Sequence, residues 1–291
     1  MAGFQTYGEI DDAYTAGRYT IAGFRKAVTA TTTQGIWFDL SMTGGGPIPN
    51  YYAAAPLTWT VLRQSTDGGL RHGGDVSPAK KCLKSIMVCP SVVTTSTPLP
   101  MIVLDYLGYY PFVDMAGSFG LTGSGLTRYT DGVGVQVMPV LVAPQTGGCS
   151  FYITYTGPQG SGRQSQTVIC NTATVNGTIV TTGPTLTATY QSSPFIGLQT
   201  GDTGVKSIES ITWLSDDVGL IALVLVKPLA TIALDPIALS VYSPTEKDFV
   251  KDVFGSLPVI QDDAYLNFIC YPSGTLATAA IYGIMETVWS A

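Results

Sequence analysis

Residues 130–157 read TDGVGVQVMPVLVAPQTGGCSFYITYTG, and Asp131 is the one charged side chain in the stretch. Two runs of alternating apolar residues flank the turn Pro144-Gln145-Thr146-Gly147-Gly148. A period of two along the chain marks a half-buried strand, so the stretch reads as a strand pair whose apolar face needs a cover. Sheet partners and a neighbouring subunit are the two covers open to it.

The same signal extends outward. Val133–Val142, Ser150–Thr156, Arg163–Cys170, Thr178–Thr182, Phe195–Leu198, Val205–Leu214 and Leu220–Val226 are candidate strands. Turn chemistry separates them, with Asn176-Gly177 the strongest short hairpin signal. Such spacing predicts a mainly β chain, an antiparallel β-sandwich or jelly-roll-like fold. Tyr265–Tyr271 and Thr278–Trp289 read as closing strands.

Upstream the pattern is mixed. Phe4, Tyr7, Ile10, Tyr14, Ile21 and Phe24 recur at roughly helical spacing over 4–28, with Gly17 weakening the middle; one helix or two short ones is expected. Trp37–Met42 and Leu57–Leu62 read as short strands, and Met101–Met115 as a strand or short helix. Ser77-Pro78-Ala79-Lys80 has the form of a helix start, a Ser cap followed by Pro. A helix over 78–89 is therefore predicted, with Lys80, Lys81 and Lys84 on its polar side. Another is predicted over 246–254, where Phe249, Val250, Val253 and Phe254 share a face. This divides the chain into a mixed region, 1–125, and an antiparallel β domain, 126–291, unless the two form one interwoven domain.

Composition narrows function. Of 291 residues only 12% are charged, about half the ~25% of ordinary soluble domains. Mean hydropathy is +0.28. A surface so poor in charge is tolerated where much of it becomes interface. A net charge of −6 with 14 dispersed Lys and Arg offers no nucleic-acid surface. Val218–Leu234, the nearest approach to a membrane span, is interrupted by Lys227-Pro228, so no membrane association is expected. The N-terminus has neither a basic n-region nor an apolar h-region, so no signal peptide is expected. The five cysteines are widely spaced and read as reduced thiols.

No catalytic constellation emerges. His72 is the one histidine and lies between glycines, and no nucleophile elbow, zinc motif or phosphate-binding loop accompanies it. No cofactor, metal or catalytic residue is expected. Tyrosine couples an apolar ring to a polar tip and suits interfaces. Tyr51, Tyr52, Tyr109 and Tyr110, with Lys80 and Lys81, are the expected exposed contact residues.

LTRYTDGVGVQVMPVLVAPQTGGCSFYITYTGPQGSGRQSQTVICNT and FIGLQTGDTGVKSIESITWLSDDVGLIALVLVKPLATIAL resemble virion structural proteins of tailed bacteriophages. The resemblance is to chains that decorate or cement the head, and it spans roughly 100–235. It implies a non-enzymatic protein on the capsid surface, made in the host cytoplasm, that bridges neighbouring subunits. Its implied partners are the major capsid protein and copies of itself, as a homotrimer or another small oligomer. It carries over no site residue. A major capsid or tail protein, and a β-sandwich carbohydrate-binding module, are the alternative readings.

Overall fold

The computed structural model describes residues 4–90, 98–123, 125–181, 193–234, 245–252, 257–277 and 280–291. They form three antiparallel sheets with a few short helices, the mainly β sandwich class expected. One sheet draws strands from both ends of the chain and is called the terminal sheet. Its order is Thr245–Asp248, Lys81–Pro90, Ala280–Trp289, Tyr19–Ala27, Gly44–Gly46, with Val259–Ile260 also on Lys81–Pro90. The long-strand sheet runs Phe38–Asp39, Leu266–Cys270, Leu99–Asp114, Leu220–Leu234, Gln136–Ala143, and Thr60–Val61 pairs with Leu99–Asp114. The hairpin sheet runs Gly160–Gln164, Ser150–Gly157, Ser207–Ser215, Phe119–Gly120, with Val168–Ile169 on Ser150–Gly157.

The two strands of the 130–157 stretch do not pair with each other. Gln136–Ala143 lies on Leu220–Leu234, and Ser150–Gly157 lies on Ser207–Ser215 in a different sheet. The turn between them is a corner of a sandwich. Asp217 closes it by accepting bonds from the Thr146 hydroxyl at 2.9 Å and the Gly147 amide at 2.8 Å. Asp217 itself stands in a second corner, between Ser207–Ser215 and Leu220–Leu234. Burial works to raise its pKa, but the Gly147, Val218 and Thr146 donors outweigh that and hold it below the ordinary carboxylate range. With both corners fixed, Phe151, Ile153 and Tyr155 of one sheet meet Val137, Leu141 and Leu223 of the other. Each such buried side chain contributes about 1.5–3 kcal/mol relative to exposure.

The predicted helix over 78–89 is a strand, Lys81–Pro90. The residues read as its cap serve a loop, where the Val76 and Ser77 amides donate to Asp262 at 2.9 and 3.0 Å. The strand then gains sheet partners on both sides, with Leu83, Ile86 and Val88 in the core, and pairing overrides local helix preference. The 4–28 segment is helical only over Tyr7–Thr15, opened by a capping box of Thr6 and Glu9. Gly17, at φ +68°, ends it, and Tyr19–Ala27 is a strand. Its Ile21 and Phe24 mimicked helical spacing because both faces of the strand carry apolar residues. Around 246–254, Thr245–Asp248 is a strand and only Phe249–Asp252 is helical; residues 253–254 lie outside those described.

Smaller departures follow the same logic. Trp37–Met42 resolves into Phe38–Asp39 and a 3-10 turn, Leu40–Met42. Arg163–Cys170 splits into Gly160–Gln164 and Val168–Ile169. Thr178 and Ile179 make isolated bridges, Thr182 lies outside the described residues, and Phe195–Leu198 is loop. Of Thr278–Trp289, residues 278–279 are likewise outside, and Ala280–Trp289 is a strand.

The long-strand sheet is covered on both sides. Leu107, Val113 and Leu225 face the hairpin sheet, while Met101, Val103 and Ile232 face the terminal sheet. Leu104, Tyr106, Met138 and Val224 form a third core under loops carrying Tyr52, Leu62 and Ile179. Asp105 stands between Val103 of one core and Leu107 of the other, in a buried fork with Arg128 at 2.8 and 2.9 Å. All three sheets take strands from both sides of residue 126.

Candidate interaction surface

The outer face of the terminal sheet carries the feature that the packing leaves unexplained. Alternation along three neighbouring strands sends one set of side chains inward and another outward. The register aligns Arg25, Tyr282 and Cys89 in one row, Gly23, Ile284 and Met87 in the next, and Ile21, Glu286 and Ser85 in a third. Helix Tyr7–Thr15 covers the far end of this face: Ile10 and Ala13 pack on Cys82 and Val288. Tyr14 donates to Glu286, and Lys84 bridges Glu286 at 3.1 Å and Asp248 at 3.2 Å. Beyond the helix the face is bare among the described residues. Ile21 is 58% exposed, Tyr282 45% and Ile284 41%. A shallow apolar groove of about 600 Å³ runs over Gly23, Met87, Cys89, Tyr282 and Ile284.

The expected contact residues divide differently. Tyr51 is 59% exposed and Lys80 half-buried. Tyr52, Tyr109, Tyr110 and Lys81 are buried, which corrects the expectation that they lie on the surface. The physical reason is that the polar tips of Tyr52, Tyr110 and Lys81 find interior partners, and the Tyr109 ring finds an aromatic one. Tyr52 sits at φ +52°, uncommon for a bulky residue, held by a bond from its amide to Asn50 at 3.0 Å and by its hydroxyl on Asp39. Tyr110 donates to the Gly123 carbonyl at 2.9 Å, and Tyr109 packs edge-on against Tyr52. Lys81 donates to the Gly74 carbonyl at 2.6 Å and to His72 Nδ1 at 3.1 Å. No four-tyrosine platform for a sugar is assembled.

Several ionisable groups lie inside the protein with defined partners. His72 Nε2 donates to the Ala264 carbonyl at 2.9 Å, which fixes a neutral imidazole with Nδ1 facing Lys81. Burial and the Lys81 charge bring the His72 pKa down to about 4, and burial lowers that of Lys81. Asp39 accepts from the Ser41 amide and hydroxyl, both at 2.8 Å, and from Tyr106 at 2.7 Å. Desolvation still raises its pKa against those donors. Lys26, with its ammonium on the Pro47 carbonyl at 3.1 Å, is brought down to about 8 by burial. These are satisfied interior groups with no open cleft at their reacting atoms. Among the described residues no three His, Cys, Asp or Glu side chains gather as metal ligands.

The bare face is hard to read from the sequence because two of its three strands carry apolar residues on both sides. In YTIAGFRKA (19–27) and AIYGIMETVW (280–289) the readable signal is that excess: a strand with one face in a core has no need of Ile21, Tyr282 and Ile284 on the other.

No protein-family model matches the chain. No curated protein matches it. Among solved structures, it aligns with infectious bursal virus derived T=1 particles at 11% identity, over 93% of this chain and 77% of that one, with a TM-score of 0.19. The infectious bursal disease virus Gt strain structure aligns at 9% identity, over 94% and 80%, with a TM-score of 0.17. These scores lie below the level of a shared fold, and no conclusion is drawn from them.

Proposed function

We propose that this chain is a non-enzymatic virion structural protein that binds the outside of a bacteriophage capsid and stabilises it by bridging neighbouring capsid subunits. The observation that carries the reading is the bare apolar face of the terminal sheet on a chain only 12% charged. Contiguous exposed apolar surface of this kind marks association sites on otherwise soluble folds. Its partners are the major capsid protein and further copies of itself, and its place is the capsid surface after synthesis in the host cytoplasm. The resemblance of residues 100–235 to head-decorating chains supports the same role. A decoration protein acts by buried area repeated over a shell: at ~25 cal/mol per Å² of apolar surface, a modest contact multiplied by symmetry resists disruption.

The test is sedimentation of purified protein with heads of its own virus, with and without the chain already present. Saturable binding to bare heads, and a higher temperature of head disruption once bound, is the expected result. Failure to associate with heads defeats the proposal. Spontaneous closure of the chain alone into shells or tubes would instead assign it to the capsid lattice or the tail.

A further inference from the structure

We propose that Cys149 and Cys170 form an oxidation site: two facing thiols that close into a cross-strand disulfide when the protein meets a low-molecular-weight disulfide. The inference does not depend on the virion reading. It rests on register. Ser150–Gly157 and Val168–Ile169 pair antiparallel, with Phe151 opposite Val168 and Ser150 opposite Ile169. One step further the same register sets Cys149 opposite Cys170, and the Cys170 amide donates to the Cys149 carbonyl at 2.8 Å. Opposed residues of a hydrogen-bonded antiparallel pair have Cα atoms ~5.5 Å apart and side chains on one face of the sheet. That spacing falls inside the ~4.4–6.8 Å that a disulfide spans. Both side chains are buried in one core, at 2% and 1% exposure. The Cys170 thiol is held well above its ordinary range, first by its hydrogen bond with the Cys149 thiol and then by burial. The remaining cysteines have no such partner. Cys82 stands opposite Val259 and Val288, Cys89 opposite Tyr282, and Cys270 opposite Met101 and Phe38.

The reaction is an exchange. One protein thiolate attacks the small disulfide, forms a mixed disulfide and releases one small thiol. The second protein thiolate attacks the protein sulfur of that mixed disulfide and releases the other. Two protein thiols are oxidised, one small disulfide is reduced to two thiols, and the two protein protons end on those thiols. Burial of both sulfurs makes the first attack slow, and the sheet edge gives it a route. Val168–Ile169 is two residues long and, among the described strands, pairs with Ser150–Gly157 alone, so its lifting uncovers Cys170. The bond would lock a corner of the sandwich. Cys149 follows the turn where Asp217 holds Thr146 and Gly147. Cys170 leads into the segment whose Ala173 carbonyl accepts from the Gln145 amide at 3.1 Å. Closing the 149–170 loop also removes freedom from the unfolded chain.

Prolonged incubation of the folded, reduced protein with oxidised glutathione, followed by peptide mapping in a mass spectrometer, tests this. The expected result is that the peptides carrying Cys149 and Cys170 are recovered joined, with the loss of two hydrogens. The oxidised protein melts about 5 °C or more above the reduced one, and a reducing agent reverses the gain. Cys149→Ser shows no such difference between its oxidised and reduced samples. Cys149 and Cys170 still reduced at the end of the incubation, either of them joined instead to glutathione or to another cysteine, or a disulfide that leaves the melting temperature unchanged or lower would each overturn the proposal.

Discussion

His72 and Lys81 place a neutral imidazole and an ammonium in contact inside the protein, and this makes stability depend on acid. Unfolded, the ring takes a proton below its ordinary value near 6.5; folded, it resists until about 4. The unfolded state therefore binds more protons between these limits, so stability is full above pH 6.5 and falls as pH drops towards 4, by about 3 kcal/mol from this group. Lys81, Asp262 and Arg128 are the charges acting on the ring. Because it is the one histidine, a single imidazole resonance reports it, and its midpoint near 4 is the expected outcome. A His72→Gln variant should lose that part of the acid slope. The buried fork of Arg128 and Asp105 yields a second prediction at this scale. Arg128→Ala strands a buried carboxylate and should cost about 3–5 kcal/mol in urea unfolding. Asp105→Leu combined with Arg128→Met should recover most of it, since an apolar pair pays no desolvation. Neither pair was legible in the sequence. His72 read as a loop residue and Lys81 as a surface cation, because the groups that bury them, Ala264 and Gly74, are assembled only by the fold.

Strands rather than helices decide what each segment becomes. Lys81–Pro90 carries a helix-start signature yet pairs on both sides, because the backbone hydrogen bonds and core contacts of a central strand outweigh a few tenths of a kcal/mol per residue of helical preference. The long strand Leu99–Asp114 was open to either reading and is a strand for the same reason: nearly all of it is buried, between partners on both edges. Gly108 within it is required by close approach, since a Cβ there would lie 2.5 Å from the Thr60 carbonyl and 2.5 Å from the Trp59 ring. Gly108→Ala should displace the Thr60–Val61 strand and cost about 1–3 kcal/mol, measured by chemical denaturation. Gly23→Ala, in open space on the outer face, should leave stability within about 1 kcal/mol of wild type.

For the molecule as a whole, the long-strand sheet is shared by both sandwiches, and its strands Leu99–Asp114 and Leu220–Leu234 run through both cores. Unfolding is expected to be a single transition, with calorimetric and van't Hoff enthalpies equal. Two resolved transitions would show halves that melt separately. The sequence by itself determined the class: period-two alternation, Gly-rich turns and scarce charge specify strands, and strands so apolar must be stacked. It also marked the chain as one with surface to bury. What only the tertiary structure decided is which strand lies beside which. The 130–157 stretch shows the reason: alternation fixes the face a residue turns to, but the partner is fixed by contacts distant in sequence, here Asp217 holding Thr146 and Gly147. The same holds for the tyrosines. A ring with a polar tip suits core and surface alike, and Tyr52 went inside because Asp39 and Ser41 were there to take its hydroxyl, while Tyr282 stayed outside with Arg25.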